Sequence, residues 1–216
     1  MNDVVKSEKS VKKSVKIPTK PRGRPLEFNQ DEALDKALNV FWSRGYEGTS
    51  MAELTQVLGI NKPSIYAAFG NKETLFRKAL ARYTSGPVAF VSEAMQAPTA
   101  RQVVEKFLTL AVDSFSDKST PAGCMIVQGA LTCGQNSSAI QLELIAYRKN
   151  LEAAFNERFE LAKKQGDLPQ WANTKQLAKY IATIHQGMSV QATSGATREE
   201  LLAIVEMALK SWPTND

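Results

Sequence analysis

Residues Gly45 to Phe76, GYEGTSMAELTQVLGINKPSIYAAFGNKETLF, constrain the fold of this chain more than any other stretch. They read as two short helices joined by a tight turn, with a third behind a Gly-Asn pair. Thr49 or Ser50 can cap the first helix, Met51, Leu54 and Leu58 recur at helical spacing on one face, and Gly59 ends it. Asn61 caps the next helix at once. Pro63 falls in its first turn, where a missing N–H costs little, and Ile65 and Phe69, four apart, supply the buried side. Lys62, Ser64, Tyr66 and Ala67 are left facing outward. A cation, two hydroxyls and a small apolar side chain are what a recognition helix presents to a major groove.

The charge distribution points the same way. Up to Glu27 the chain carries eight basic side chains against three acidic ones, a surplus equal to the net +5 of the whole protein. Everything from Phe28 onward balances, so the sequence pI near 9.1 comes from one N-terminal arm. A basic arm beside a helix-turn-helix implies a polyanionic partner, double-stranded DNA. Residues 1–26 have almost no large apolar side chains and are expected to be a disordered basic arm without DNA. Within it, Pro21-Arg22-Gly23-Arg24-Pro25 has the form of an AT-hook core. Gly23 permits close approach, the prolines favour extension, and Arg22 and Arg24 suit the negative potential of a narrow minor groove.

The remainder reads as all-α. Asn29 and Glu32 form a capping box, with Phe28 placed to staple against Ala33; Ala33, Leu34, Ala37, Leu38 and Phe41 make a buried stripe up to Gly45. A fourth helix, after Gly70-Asn71, buries Leu75, Phe76, Ala79, Leu80 and Tyr83 until Gly86-Pro87. Further helices are expected over 87–95, 99–115, 123–132, 138–165, 175–192 and 197–212, nine to ten in all. The apolar stripe over 138–165 comprises Ile140, Leu144, Leu151, Phe155 and Phe159. The organisation expected is an arm at 1–26, a helix-turn-helix DNA-binding domain at 27–85, and a helical effector-binding and dimerisation domain at 86–216.

The composition excludes other classes. No apolar run approaches the ~20 residues that span a bilayer, and a secretory signal is lacking, so a cytoplasmic, nucleoid-associated protein is expected. A P-loop, a Rossmann glycine pattern, a nucleophile elbow and zinc-ligand spacing are all absent from a sequence with one histidine, so no enzyme, cofactor or metal is expected.

At fixed spacing from Leu34 to Leu80 stand Ala37, Phe41, Gly45-Tyr46, Thr49-Ser50, Leu54, Gly59-Ile60, Ser64-Ile65-Tyr66, Phe69-Gly70, Lys72-Glu73 and Leu75-Phe76. This block resembles the TetR family of bacterial transcription regulators. The Arg-Gly-Arg-Pro arm and the GCMIVQGAL stretch at Gly123 to Leu131 resemble a recurrent subgroup. The resemblance implies a homodimeric, ligand-responsive regulator, a repressor that leaves a palindromic operator when a small molecule binds. It implies phosphate contacts for Thr49, Ser50, Tyr66 and Lys72 and base-edge contacts for Lys62, Pro63 and Tyr66. Ala52 falls where some members place a long base-contacting side chain, so that contact would be absent.

It further implies a pocket, for which Phe107, Phe115, Met125, Gln128, Tyr147, His185 and Met188 are candidates, apolar with few polar groups. Some members resembling this region sense oxidants or electrophiles through cysteine, which makes Cys124 and Cys133 redox candidates. On one continuous helix their side chains would stand about 180° apart and about 13.5 Å along the axis, outside disulfide reach unless the helix breaks at Gly129. Buried small hydrophobes are the plainer role for both. An architectural AT-rich DNA-binding protein is the remaining alternative, with the arm doing most of the binding.

Overall fold

The computed structural model describes residues 28–129 and 138–214, and every regular element among them is helical. In chain order they are α1 (Gln30–Gly48), α2 (Met51–Leu58), α3 (Lys62–Phe69), α4 (Lys72–Ser85), α5 (Phe90–Met95), α6 (Ala100–Ser116), α7 (Met125–Gln128), α8 (Ser138–Lys164), α9 (Thr174–Thr193) and α10 (Arg198–Lys210). The expected AT-hook with Arg22 and Arg24 lies outside the described residues, as do Cys133 and the end of the helix expected over 123–132.

Local chemistry sets the first four helices. The side chains of Asn29, Ser50, Asn61 and Asn71 each accept a backbone N–H from the first turn of the helix they precede, and each such cap is worth about 1 kcal/mol. At α1 the capping box closes differently from its expected form: Glu32 accepts from the Asn29 side-chain amide at 2.9 Å. Phe28, expected to staple against Ala33, sets its ring 6.2 Å from that of Phe69 in α3.

Aromatic packing then fixes α4 along α1. Phe41 and Tyr46 meet the Phe76 ring edge-on at 5.1 and 5.3 Å, and Trp42 meets Tyr83 at 4.7 Å, geometries that add to simple area burial. The solvent side of this pair is held by Arg82, whose guanidinium grips both oxygens of Asp35 and reaches Asp31 at 3.1 Å. On the other side of the unit, Lys78 of α4 donates to the Ala68 carbonyl and lies over the Phe69 ring, placing a cation at the C-terminal end of α3, where the helix dipole favours it.

One break interrupts α1. Gly45 adopts φ 70°, ψ 177° inside the helix, a conformation open almost only to glycine. The expected stop at Gly45 is thus a kink, after which Tyr46 to Gly48 complete the element. The kink turns the Tyr46 amide outward to the Gly129 carbonyl at 2.8 Å.

The later helices form one layered bundle. α6 packs against α5, α9 and α10, and α8 lies along α9. Phe107, Phe155, Phe159 and Trp212 meet ring to ring in sequence, across α6, α8 and the turn after α10. α5 is shorter than expected, starting at Phe90. The chain from Gly86 makes backbone turns first, and Ala89 offers no side-chain cap.

Candidate nucleic-acid interface

The second helix of the Gly45–Phe76 unit presents its face to solvent as the spacing requires. Ile65 and Phe69 are buried, while Lys62, Pro63, Tyr66 and Ala67 are exposed. Ser64 is half-buried, its amide donating to the Asn61 side chain at 2.9 Å. The Tyr66 ring does not pack beneath α3: it is 44 % exposed, with the Lys62 ammonium 5.9 Å from its centroid. The helix ends rigidly braced, with Gly59 left-handed before it and Lys78 behind it. A ready-made ridge of this kind loses little freedom on entering a groove.

The flanking anion contacts divide. Ser50 is exposed and caps α2 through Glu53 N at 3.1 Å. Lys72 opens α4 with its ammonium 4.3 Å from the Tyr46 ring. Partial burial lowers its pKa, opposed by the charge of Glu47. Thr49 requires a correction: its side chain is fully buried and its hydroxyl donates to the Gly45 carbonyl at 2.7 Å, so it has no hydroxyl to offer a phosphate. The cap belongs to Ser50 because the kink at Gly45 turns a carbonyl toward Thr49.

Behind this face the chain makes a seam that the sequence did not reveal. The seven residues Gly123 to Gly129 are fastened to α1, α4 and α9, and through the Ile126 carbonyl to Arg148 of α8. Trp42 donates its indole N–H to the Gly123 carbonyl at 3.0 Å, and Tyr46 donates to Gly129. From α4, the Tyr83 hydroxyl accepts from Met125 N at 3.3 Å and donates to the Cys124 sulfur at 3.4 Å. From α9, Ser189 takes the Cys124 amide at 2.8 Å, and Gln128 donates to the Ser189 carbonyl at 3.1 Å. Gly123, at φ 77°, is obligatory here, because a Cβ would stand 2.8 Å from the Ser189 carbonyl oxygen. The signal present in the sequence was Trp42, a buried indole that needs an acceptor.

Of the pocket candidates, Phe107, Phe115 and His185 come together, the two phenyl rings 5.0 and 5.4 Å from the imidazole. Met125 and Met188 are buried, and Gln128 is held to α9. Tyr147 leaves the set: it is exposed on α8. Cys124 is buried, and burial raises its pKa, which makes it a poor nucleophile.

Burial lowers the His185 pKa from 6.5 to about 4. The folded protein therefore holds His185 neutral where the unfolded chain protonates it, between about pH 6.5 and pH 4. In that window the unfolded state binds more protons, so stability is full above pH 6.5 and falls as pH drops. Urea unfolding should show a loss on the order of 3 kcal/mol from this group between pH 6.5 and 4. His185→Leu should flatten that part of the profile; an unchanged slope in the variant would place the proton uptake elsewhere.

Comparison with known proteins agrees with this architecture. The family profile described as bacterial regulatory proteins, tetR family, matches residues 33–79. The chain is 33% identical over 202 residues to the HTH-type transcriptional repressor ComR of Escherichia coli (strain K12), covering 93% of this chain and 96% of that protein. It is 30% identical over 199 residues to the HTH-type transcriptional repressor BdcR of the same strain, covering 91% and 93%. Among solved structures, a cysteine mutant of the TetR family transcriptional regulator CifR complexed with 26 bp double-strand operator DNA superposes with a TM-score of 0.85. It is 43% identical and covers 88% of this chain and all of that one. With its helix-turn-helix face, its all-helical bundle and relatives that match over nearly their whole length, this chain belongs to the TetR family of HTH-type transcriptional regulators.

Proposed function

We propose that this protein is a homodimeric transcriptional repressor that binds a near-palindromic operator and leaves it when a small molecule binds. The observation that carries this reading is the braced, exposed ridge of Lys62, Pro63, Tyr66 and Ala67 on α3, in a chain 43% identical to a regulator captured on operator DNA. In this reading residues 27–85 are the DNA-binding domain and 86–216 the effector-binding and dimerisation domain. Lys62, Pro63 and Tyr66 meet base edges, with Ser64 beside them, while Ser50, Tyr66 and Lys72 meet phosphates. Arg22 and Arg24 enter the adjoining minor groove.

A second copy of the chain fits the last two helices. Tyr180 and Val190 on α9 and Ile204 and Met207 on α10 are large apolar side chains left exposed, and pairing α9 and α10 across a two-fold axis would cover them in a four-helix interface. Effector binding then acts through the seam at Gly123 to Gly129, which α1 and α4 both grip. Displacing it changes the separation of the two recognition helices. A coupling of about 1–3 kcal/mol is typical of such a device.

Footprinting on DNA upstream of the protein's own and adjacent genes, with excess competitor DNA, tests the reading. A discrete palindromic footprint is the expected result; diffuse protection everywhere would instead indicate an architectural binder. Deleting residues 1–26 should weaken binding and reduce the steepness of log K against log salt by about 0.9 for each phosphate the arm touches. Operator preference should survive the deletion. Its disappearance would move sequence reading from α3 to the arm.

No helix among the described residues is long and apolar enough to cross a membrane. The redox alternative finds no support at Cys124, whose thiol is buried and hydrogen-bonded to Tyr83.

A further inference from the structure

The inward stripe of α8 runs through Ile140, Leu144, Leu151, Phe155 and Phe159, all buried or partly buried against the core. Position 148 belongs to the same stripe, four residues after Leu144 and three before Leu151. It holds Arg148, so a cation interrupts an otherwise apolar face. Its Nη1 donates to the Ile126 carbonyl of α7 at 2.7 Å. Partial burial lowers its pKa.

A carboxylate would be the ordinary companion, and the nearby ones are committed elsewhere. Glu143 pairs with Arg77 at 2.8 Å and Glu152 with Lys179 at 2.5 Å. Residues 130–137, ALTCGQNS, which follow α7, contain no Asp or Glu. Among the described residues no ion pair at all involves Arg148. Among the described residues its hydrogen-bond acceptor is the Ile126 carbonyl, which neutralises none of the charge. Desolvating a cation without a counter-charge opposes stability.

We infer that Arg148 anchors an anionic effector, a small-molecule carboxylate on an apolar body, which draws the guanidinium away from Ile126 as it binds. This rests on the effector-released reading above. The planar fork of a guanidinium matches a carboxylate through two parallel hydrogen bonds, and the partly buried Leu151 nearby suits an apolar remainder. Ile126 lies within the seam gripped by Trp42, Tyr46 and Tyr83. Exchanging its carbonyl for a ligand carboxylate therefore loosens the segment that positions α1 and α4.

Thermal unfolding of the full-length protein with hexanoate, octanoate and benzoate, each against its own amide, tests the assignment. At least one carboxylate should raise Tm by about 5–10 °C at a hundredfold excess over Kd, and no amide should. Arg148→Met should lose the shift while unfolding no lower than the wild type, and Arg148→Lys, which keeps the charge but not the fork, should keep at most part of it. The inference is overturned if no carboxylate shifts the wild type, if Arg148→Met shifts equally, or if that variant alone unfolds several degrees lower, which would mark a structural role. A carboxylate that acts through Arg148 yet leaves the footprint unchanged supports the site and sinks the effector-released reading.

Discussion

Replacing Lys62 and Tyr66 together by alanine should abolish operator recognition while leaving the fold intact. Both side chains are exposed on α3, and the helix is held by Ile65, Phe69, the Asn61 cap and Lys78 rather than by either of them. Thermal stability should therefore stay within about 0.5 kcal/mol of the wild type. Each base-edge contact is worth about 1–3 kcal/mol of discrimination, so each single variant should lose roughly ten- to hundredfold in operator affinity. Because the Lys62 ammonium lies 5.9 Å from the Tyr66 ring, the two losses should not simply add. The variants also separate roles. Tyr66→Phe removes only the hydroxyl and should weaken specific and non-specific binding alike if that hydroxyl meets a phosphate, whereas Lys62→Ala should relax preference at one operator position. Titration against operator and scrambled duplexes decides this, and a double variant with wild-type operator affinity would refute the recognition role given to α3.

Gly45→Ala should be the most damaging single methyl in the first four helices. The residue sits at φ 70°, ψ 177°, and an added Cβ would stand 3.1 Å from the Gly129 carbonyl oxygen. Backbone strain of this kind costs about 1–3 kcal/mol, and the close approach adds to it. A total near 3 kcal/mol corresponds to a Tm lower by about 6–12 °C for a chain of this size. Gly59→Ala is the control. Gly59 also has φ 70°, but in the left-handed helical region and with nothing within 4 Å of its added Cβ, so only about 1–2 kcal/mol should be lost. Equal Tm losses in the two variants would mean that the Gly129 contact contributes nothing.

Where the sequence was legible, the reason is locality. The cap at Asn61 and the buried pairs Ile65/Phe69 and Leu75/Phe76 are decided by neighbours within four residues, so spacing alone locates them, whereas the choice of Ser50 over Thr49 was left open. Thr49 was misplaced because its hydroxyl partner, the Gly45 carbonyl, faces it only through a kink that no propensity signals. Trp42 could be read as a core aromatic but not as a link, since its acceptor lies 81 residues away. On α8 the error was a single step around the helix. Tyr147 was chosen for its chemistry and faces out, while the charged Arg148 beside it holds the inward position. A turn of about 100° per residue makes adjacent positions opposite in meaning. The effector side suffers most from such errors, because its lining comes from helices distant in sequence.

The bonds that Trp42, Tyr46 and Tyr83 send to Gly123–Gly129 also bear on how this protein could be recombined. A chimera cut after Tyr83 would strand an indole, an amide and a phenol in a foreign interior. Grafting the DNA-reading half onto another sensor therefore requires carrying those seven residues along with it. The transplantable unit is discontinuous in the chain, and modular exchange within the family is correspondingly harder than a linear domain map suggests.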